Sequence, residues 1–150
     1  LKLSRGLGDV YKRQDPNCRN KRSLENRMRK KKKAGAGFVQ TQMVMEKENL
    51  IDFCEKISNP LEIPVIAGVF LLKSYKNALF INKYVPGANI PENILNRLKD
   101  AKDPLQEGIK IAAEQAHDFI NIANGVHLMA VKAEHLIPEI IEKADLSLEY

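Results

Sequence analysis

Two amides stand where a buried strand would carry apolar side chains. The stretch from Ala34 to Glu46 reads Ala-Gly-Ala-Gly-Phe-Val-Gln-Thr-Gln-Met-Val-Met-Glu, a helix stop followed by a strand. Gly35 and Gly37 can take the positive φ that ends a helix without a Cβ penalty. Phe38, Val39 and Thr41 suit a pleated, packed surface. Gln40 and Gln42 do not. A buried amide with no partner costs about 1–3 kcal/mol, so Gln42 is either paired inside the protein or held out to a ligand. In βα folds ligands bind at the C-terminal ends of strands, and Gln42 falls at such an end.

The other residue types that carry chemistry mostly exclude functions. His127 lies in a strand, while His117 and His135 lie on different helices, and none has ligand spacing such as H-x-x-x-H. All three read as satisfied or surface histidines. Cys18 and Cys54 form neither a metal pattern nor a disulfide framework, and read as free thiols of a reducing cytoplasm. Neither a nucleophile elbow nor a P-loop occurs. Gly6-Leu7-Gly8 is too short for a dinucleotide fingerprint.

At 150 residues, 44% apolar and 29% charged, the chain has the size and composition of one ordinary globular domain. Its longest apolar run, Ile63 to Leu72, is interrupted by Pro64 and Gly68 and falls well short of the ~20 residues of a membrane helix. The N-terminus lacks the order of a signal peptide. The net charge of +5 hides a division. Residues 1–33 hold 13 Lys and Arg against 3 acids, or +10, and residues 34–150 hold 11 against 16, or −5. Such a split can mark a nucleic-acid arm, which makes a small α/β binding module with a basic arm over residues 2–33 the alternative reading. That arm has one aromatic, Tyr11, and lacks a reader motif, so no nucleic-acid partner is expected. Ser4 to Gln14 resembles a recurrent non-native leader found at the ends of environmental reading frames. Residues 1–14 are therefore set aside from the fold, leaving 15–150 as the domain.

Ser23 reads as the N-cap of a helix from Leu24 to Lys33, whose narrow apolar stripe is Leu24 and Met28. After the Gln-bearing strand, Glu46 to Ile57 is an amphipathic helix stopped by Ser58-Asn59-Pro60. Ile63 to Phe70 is a continuous apolar strand of the type buried on both faces of a parallel sheet. Helices follow from Tyr75 to Lys83, from Pro91 to Lys99, and from Pro104 to about Ala123 with Asp103 as cap. Val126 to Val131 makes a third strand, and a helix from Ala133 to Ala144 closes the chain. Alternation of helices with buried strands predicts an α/β fold with three parallel strands. Three strands cannot close a barrel and leave two edges open, so the fold is a small open sheet or part of something larger.

Four segments then matter together: Gly35-Ala36-Gly37-Phe38-Val39-Gln40-Thr41-Gln42; Pro64-Val65-Ile66-Ala67-Gly68-Val69 with Leu72-Lys73-Ser74-Tyr75-Lys76; Val85-Pro86-Gly87 with Ile90-Pro91; and Gly125-Val126-His127-Leu128-Met129. In order and spacing they resemble the C-terminal half of methylenetetrahydrofolate reductase. The resemblance implies a partial (β/α)8 TIM barrel. It implies FAD as cofactor, NAD(P)H as electron donor, and reduction of 5,10-methylenetetrahydrofolate to 5-methyltetrahydrofolate in one-carbon metabolism. It also implies a cytoplasmic, homo-oligomeric full-length enzyme. Residue by residue, it makes Gln42 and Asn77 folate contacts, Asn77 standing where the family uses Gln, and Lys31 a contact of the flavin phosphates. Ala133 stands at the match of a family arginine that meets the folate's glutamate tail, and whether Lys132 beside it takes over that charge is left open. Gly37 replaces a common acid and Leu71 a common proline. The catalytic glutamate and a flavin-gripping aspartate belong to the barrel's first half, so no catalytic residue is assigned here and the fragment alone is expected to be inactive.

Overall fold

The computed structural model describes residues 21–146. In chain order they form α1 (Lys21–Lys33), β1 (Val39–Met43), α2 (Lys47–Phe53), β2 (Val65–Phe70), α3 (Tyr75–Tyr84), α4 (Glu92–Asp100), α5 (Pro104–Ile120), β3 (Gly125–Met129) and α6 (Ile137–Lys143). The expected leader and Cys18 lie outside these residues. None of the described helices is long and apolar enough to cross a membrane.

The three strands form one sheet in the order β1-β2-β3, with both pairings parallel. One helix crosses from β1 to β2, and three helices cross from β2 to β3. Side chains alternate across a strand, and Val39, Val65, Ala67 and Val69 point into the main core with Leu24, Met28, Leu50, Phe53, Ile109 and Phe119. The opposite face carries Gln40, Gln42, Ile66 and Phe70, all half-buried. The expectation that β2 is buried on both faces thus holds for one face only, because the helices pack on one side of a three-stranded sheet. A second apolar cluster (Met43, Leu72, Ala78, Ile81, Ile94 and Leu98 at its centre) welds α3, α4 and α5 to the strand ends.

Local signals fix several boundaries. Gly35, at φ 96°, ends α1 in a Schellman arrangement, its N–H bonding Lys32 O at 2.9 Å and that of Ala36 bonding Lys31 O at 3.0 Å. Gly37 does not take a positive φ. Helix α1 has begun by Lys21, so Ser23 is not its cap; its hydroxyl accepts instead from the Arg27 guanidinium, at 3.2 Å. Ser74 caps α3 by accepting from Asn77 N, and Asp103 caps α5 by accepting from Leu105 N and Gln106 N. Helix α5 stops at Ile120, short of Ala123, since Asn124 is committed to the sheet. Its side chain accepts from Val65 N at 3.0 Å and its own N–H donates to Val65 O at 2.9 Å. The amphipathic helix after β1 widens into a π turn over Cys54–Ser58, and the closing helix begins as a 3₁₀ turn, Glu134–Leu136. Cys54 is a buried free thiol, and burial, with Glu55 adding, pushes its pKa up.

Helix α5 also lies very close to the chain leaving β2. A Cβ built on Gly108 would stand 1.8 Å from the carbonyl oxygen of Leu72. Arg97 then ties α4 to α5, its guanidinium donating to Glu107 at 2.7 Å and to Glu114 at 2.7 and 3.2 Å. Both partners raise the arginine's pKa, the Glu114 bond foremost. Together these contacts fix the segment between β2 and α3, which supplies one wall of the site.

Candidate functional site

Where β1 and β2 run side by side, their register slips. Gln40 pairs with Ile66, yet Met43 pairs with Gly68, so β1 spends one residue more than its partner. A bulge of this kind re-aims a side chain and is favoured beside functional sites. Thr41 accounts for the hydrogen bond the bulge would otherwise lose. It is fully buried, and its hydroxyl accepts from Gly68 N at 2.9 Å while donating to Gln42 O at 2.7 Å. The ladder resumes with Val44 N on Gly68 O at 2.9 Å. The missing side chain of Gly68 matters as well, because a Cβ there would lie 2.9 Å from Gln42 O and 3.0 Å from Thr41 O. The bulge therefore rests in the space that glycine leaves.

Removing that hydroxyl should be felt. Thr41→Val leaves the Gly68 N–H buried and unpaired, an expected loss of about 1–3 kcal/mol. Thr41→Ser keeps the hydroxyl and should recover most of it. Urea unfolding of the two variants checks this, and a valine variant as stable as the parent would remove the role given to the hydroxyl.

The re-aimed Gln42 lines a cleft of about 650 Å³ at the C-terminal ends of the strands. Asn77, one turn into α3, lines it too. The two residues singled out as folate contacts are thus brought to one cavity from different elements. Each has its side-chain carbonyl engaged: Met43 N donates to Gln42 Oε1 and Lys73 N to Asn77 Oδ1, both at 3.2 Å. The Lys73 ammonium also lines the cleft and donates to Val131 O at 3.0 Å. From β3, His127 enters the same wall, its Nδ1 bonded to Gln40 Nε2. It is a satisfied histidine, as expected, but one that faces the cavity. Phe70, Ile81 and Met129 make the rest of the lining largely apolar. At the rim Phe80, 57% exposed, packs against Tyr84 with ring centroids 4.7 Å apart.

Lys31 is not brought to this cleft. It sits half-buried in the last turn of α1, before the first residue of β1, whereas Gln42 lies toward the other end of that strand. Lys132 is also elsewhere. Its backbone is left-handed at φ 55°, its N–H bonds the Glu134 carboxylate at 3.0 Å, and it does not line the cleft. The cation that does is Lys73, which the sequence reading passed over. Among the described residues no carboxylate lines the cleft, and no cluster of His, Cys, Asp or Glu could hold a metal. The arrangement can hold and orient a ligand; among the described residues it offers no carboxylic acid to pass a proton. A larger open groove of about 880 Å³ lies on the outer sides of α5 and α6. Several charged groups on its wall are paired, as in Lys143 with Gln106 at 2.9 Å and Glu139 at 2.9 Å, and among the described residues no strand contributes to its lining.

Residues 7–145 match the family described as Methylenetetrahydrofolate reductase. Methylenetetrahydrofolate reductase 1 of Schizosaccharomyces pombe (strain 972 / ATCC 24843) is 25% identical over 120 residues, 75% of this chain and 19% of that protein. Among solved structures, an uncharacterized protein from Clostridium thermocellum that binds two copies of 5-methyl-5,6,7,8-tetrahydrofolic acid has a TM-score of 0.61 at 19% identity. That likeness covers 81% of this chain and 47% of the other. It is one of fold, and it agrees with the partial barrel expected from the strand pattern. The chain spans about a fifth of the first protein and just under half of the second.

Proposed function

Since the chain belongs to the methylenetetrahydrofolate reductase family, we propose that the cleft at its strand ends is the folate side of such an enzyme's active site. In this reading residues 15–150 are the C-terminal half of a TIM-barrel domain. The complete enzyme is cytoplasmic and homo-oligomeric, and reduces 5,10-methylenetetrahydrofolate to 5-methyltetrahydrofolate with NAD(P)H through FAD. One observation carries the proposal: Gln42 and Asn77, on β1 and α3, line a single cavity at the end of a parallel sheet where α/β folds bind ligands.

The residues of this chain bind and place the substrate. The free amide hydrogens of Gln42 hold an acceptor on the pterin edge, and those of Asn77 hold a second point, which fixes the ring's rotation. Phe80 offers a flat exposed face on which an aromatic ring can lie offset, and Phe70, Ile81 and Met129 exclude water. FAD, when bound, would supply the hydride chemistry, and the residues of this chain would hold the folate for it. Of the flavin contacts, this chain would provide Lys31, whose ammonium suits a pyrophosphate as a point charge, among the basic residues Lys30 to Lys33 of the last turn of α1. Lys32 is already taken by Leu61 O and Glu62.

Calorimetric titration of the chain with 5-methyltetrahydrofolate tests the reading. Binding is expected, with affinity falling roughly tenfold in Gln42→Ala, the order of a hydrogen bond lost from a desolvated site. Turnover by the chain alone is not expected, because among the described residues no carboxylic acid lines the cleft. A folded chain that does not bind the folate, or that binds it equally after Gln42→Ala, would sink the proposal.

A further inference from the structure

The polar side chains of the cleft share a property that none has alone. Gln42 has given its oxygen to Met43 N, and Asn77 has given its oxygen to Lys73 N. What each amide keeps whole is its NH₂ group, two donors beside an oxygen that has already accepted one bond. His127 is constrained in the same sense. Its Nδ1 lies against the side-chain amide of Gln40; with the NH₂ end of that amide turned to it, Nδ1 accepts and the ring hydrogen sits on Nε2, free to donate to a ligand. Lys73 spends one hydrogen on Val131 O and keeps two, with a full positive charge. Among the described residues, Asp and Glu are absent from the lining.

We propose that the side chains of the cleft favour a ligand that presents acceptors, and that His127 and Lys73 are ligand-binding residues alongside Gln42 and Asn77. The ligand class this selects is a flat heterocycle that presents carbonyl oxygens or bare ring nitrogens to Gln42, Asn77 and His127 Nε2–H. An anionic group, a carboxylate in an acid of the folate type, meets Lys73. A ligand edge bearing N–H donors meets at most the second lone pairs of the two amide oxygens, and a cationic group meets the Lys73 charge; either leaves the donors of the cleft unpaired. Such an edge must therefore face away from these residues. The identity of the ligand rests on the folate reading; the donor polarity belongs to the chain's own hydrogen bonds and stands apart from it.

Two probes of the same shape and opposite polarity separate the two claims. Benzoate offers acceptors and a negative charge, and benzamidine offers donors and a positive one. In NMR titrations of the chain, benzoate is expected to shift the side-chain NH₂ signals of Gln42 and Asn77, while benzamidine leaves them in place. Lys73→Met keeps the aliphatic stem and removes the charge. It should weaken benzoate roughly tenfold or more, the range of a charge-assisted hydrogen bond. The same variant should weaken 5-methyltetrahydrofolate by a similar factor and leave its glutamyl diester unaffected. Nitrogen-15 spectra of the ligand-free chain should show His127 as the Nε2–H tautomer. Benzamidine binding as well as benzoate, neither probe binding, an Nδ1–H tautomer, or a Lys73→Met variant that weakens acid and diester alike would each overturn the proposal. Benzoate binding without folate binding would instead fell the folate reading and leave the donor polarity standing.

Discussion

Replacing Gly108 by alanine is expected to cost about 3–5 kcal/mol of stability, the upper end of what a single overpacked site produces. The reason is the identity of the atom in the way. A methyl group at this position would meet Leu72 O at 1.8 Å and Leu72 C at 3.0 Å, and backbone atoms cannot rotate aside as a side chain would. Relief requires α5 to lift off the chain leaving β2, which opens the packing of Ile109 and Ala112 against the sheet. It also drags the segment carrying Lys73 and Asn77. Urea or thermal unfolding of Gly108→Ala measures the loss. A variant within about 0.5 kcal/mol of the parent, the usual span of a neutral surface change, would show that the helix does not press on that carbonyl.

The second large effect is expected at Gly68, and it should appear in binding more than in stability. Its added methyl would meet the carbonyl oxygens of Gln42 and Thr41 at 2.9 and 3.0 Å, and the Met129 methyl at 3.0 Å. Met129 can swing away; the two carbonyls are the bulge itself. Gly68→Ala should therefore cost about 1–3 kcal/mol in folding and push Gln42 out of line with the cleft. A displacement near 1 Å at a positioning residue can cost on the order of 100-fold, so folate affinity should fall by about that factor in a protein that still folds. Titration calorimetry with 5-methyltetrahydrofolate, beside an unfolding curve, separates the two effects. A folded Gly68→Ala chain with parental affinity would show that the bulge does not set the position of Gln42.

The sequence made the layout of strands legible for a plain reason. Ile63 to Phe70 is apolar throughout, and Gly35 with Gly125 marks breaks that neighbouring residues then honour. Gln42 was legible as well, because an amide stands out at a strand end. What could not be seen was anything that depends on register. Thr41 and Gly68 are 27 positions apart, and a threonine in a strand carries no local sign that its hydroxyl will replace a backbone carbonyl. The same limit hid the cation of the cleft. Lys132 stands beside the match of a family arginine along the chain, but it has a left-handed backbone and a bond to Glu134, and it does not line the cleft. Lys73, on the other side of a three-helix crossover, reaches Val131 O instead. His127 reads as an ordinary half-buried histidine until Gln40 is known to sit on the same face of the sheet. The π turn at Cys54–Ser58 has no signal of its own.

The aromatic pair at the rim has an optical consequence. The chain contains no tryptophan and four tyrosines, so its near-ultraviolet spectrum belongs to tyrosine rings. Tyr84 lies against Phe80, and Lys83 stands 5.1 Å above the Tyr84 ring. A ligand resting on Phe80 changes the surroundings of that chromophore without touching it. The cleft thus carries its own spectroscopic reporter, readable by difference absorbance or tyrosine emission with no label attached.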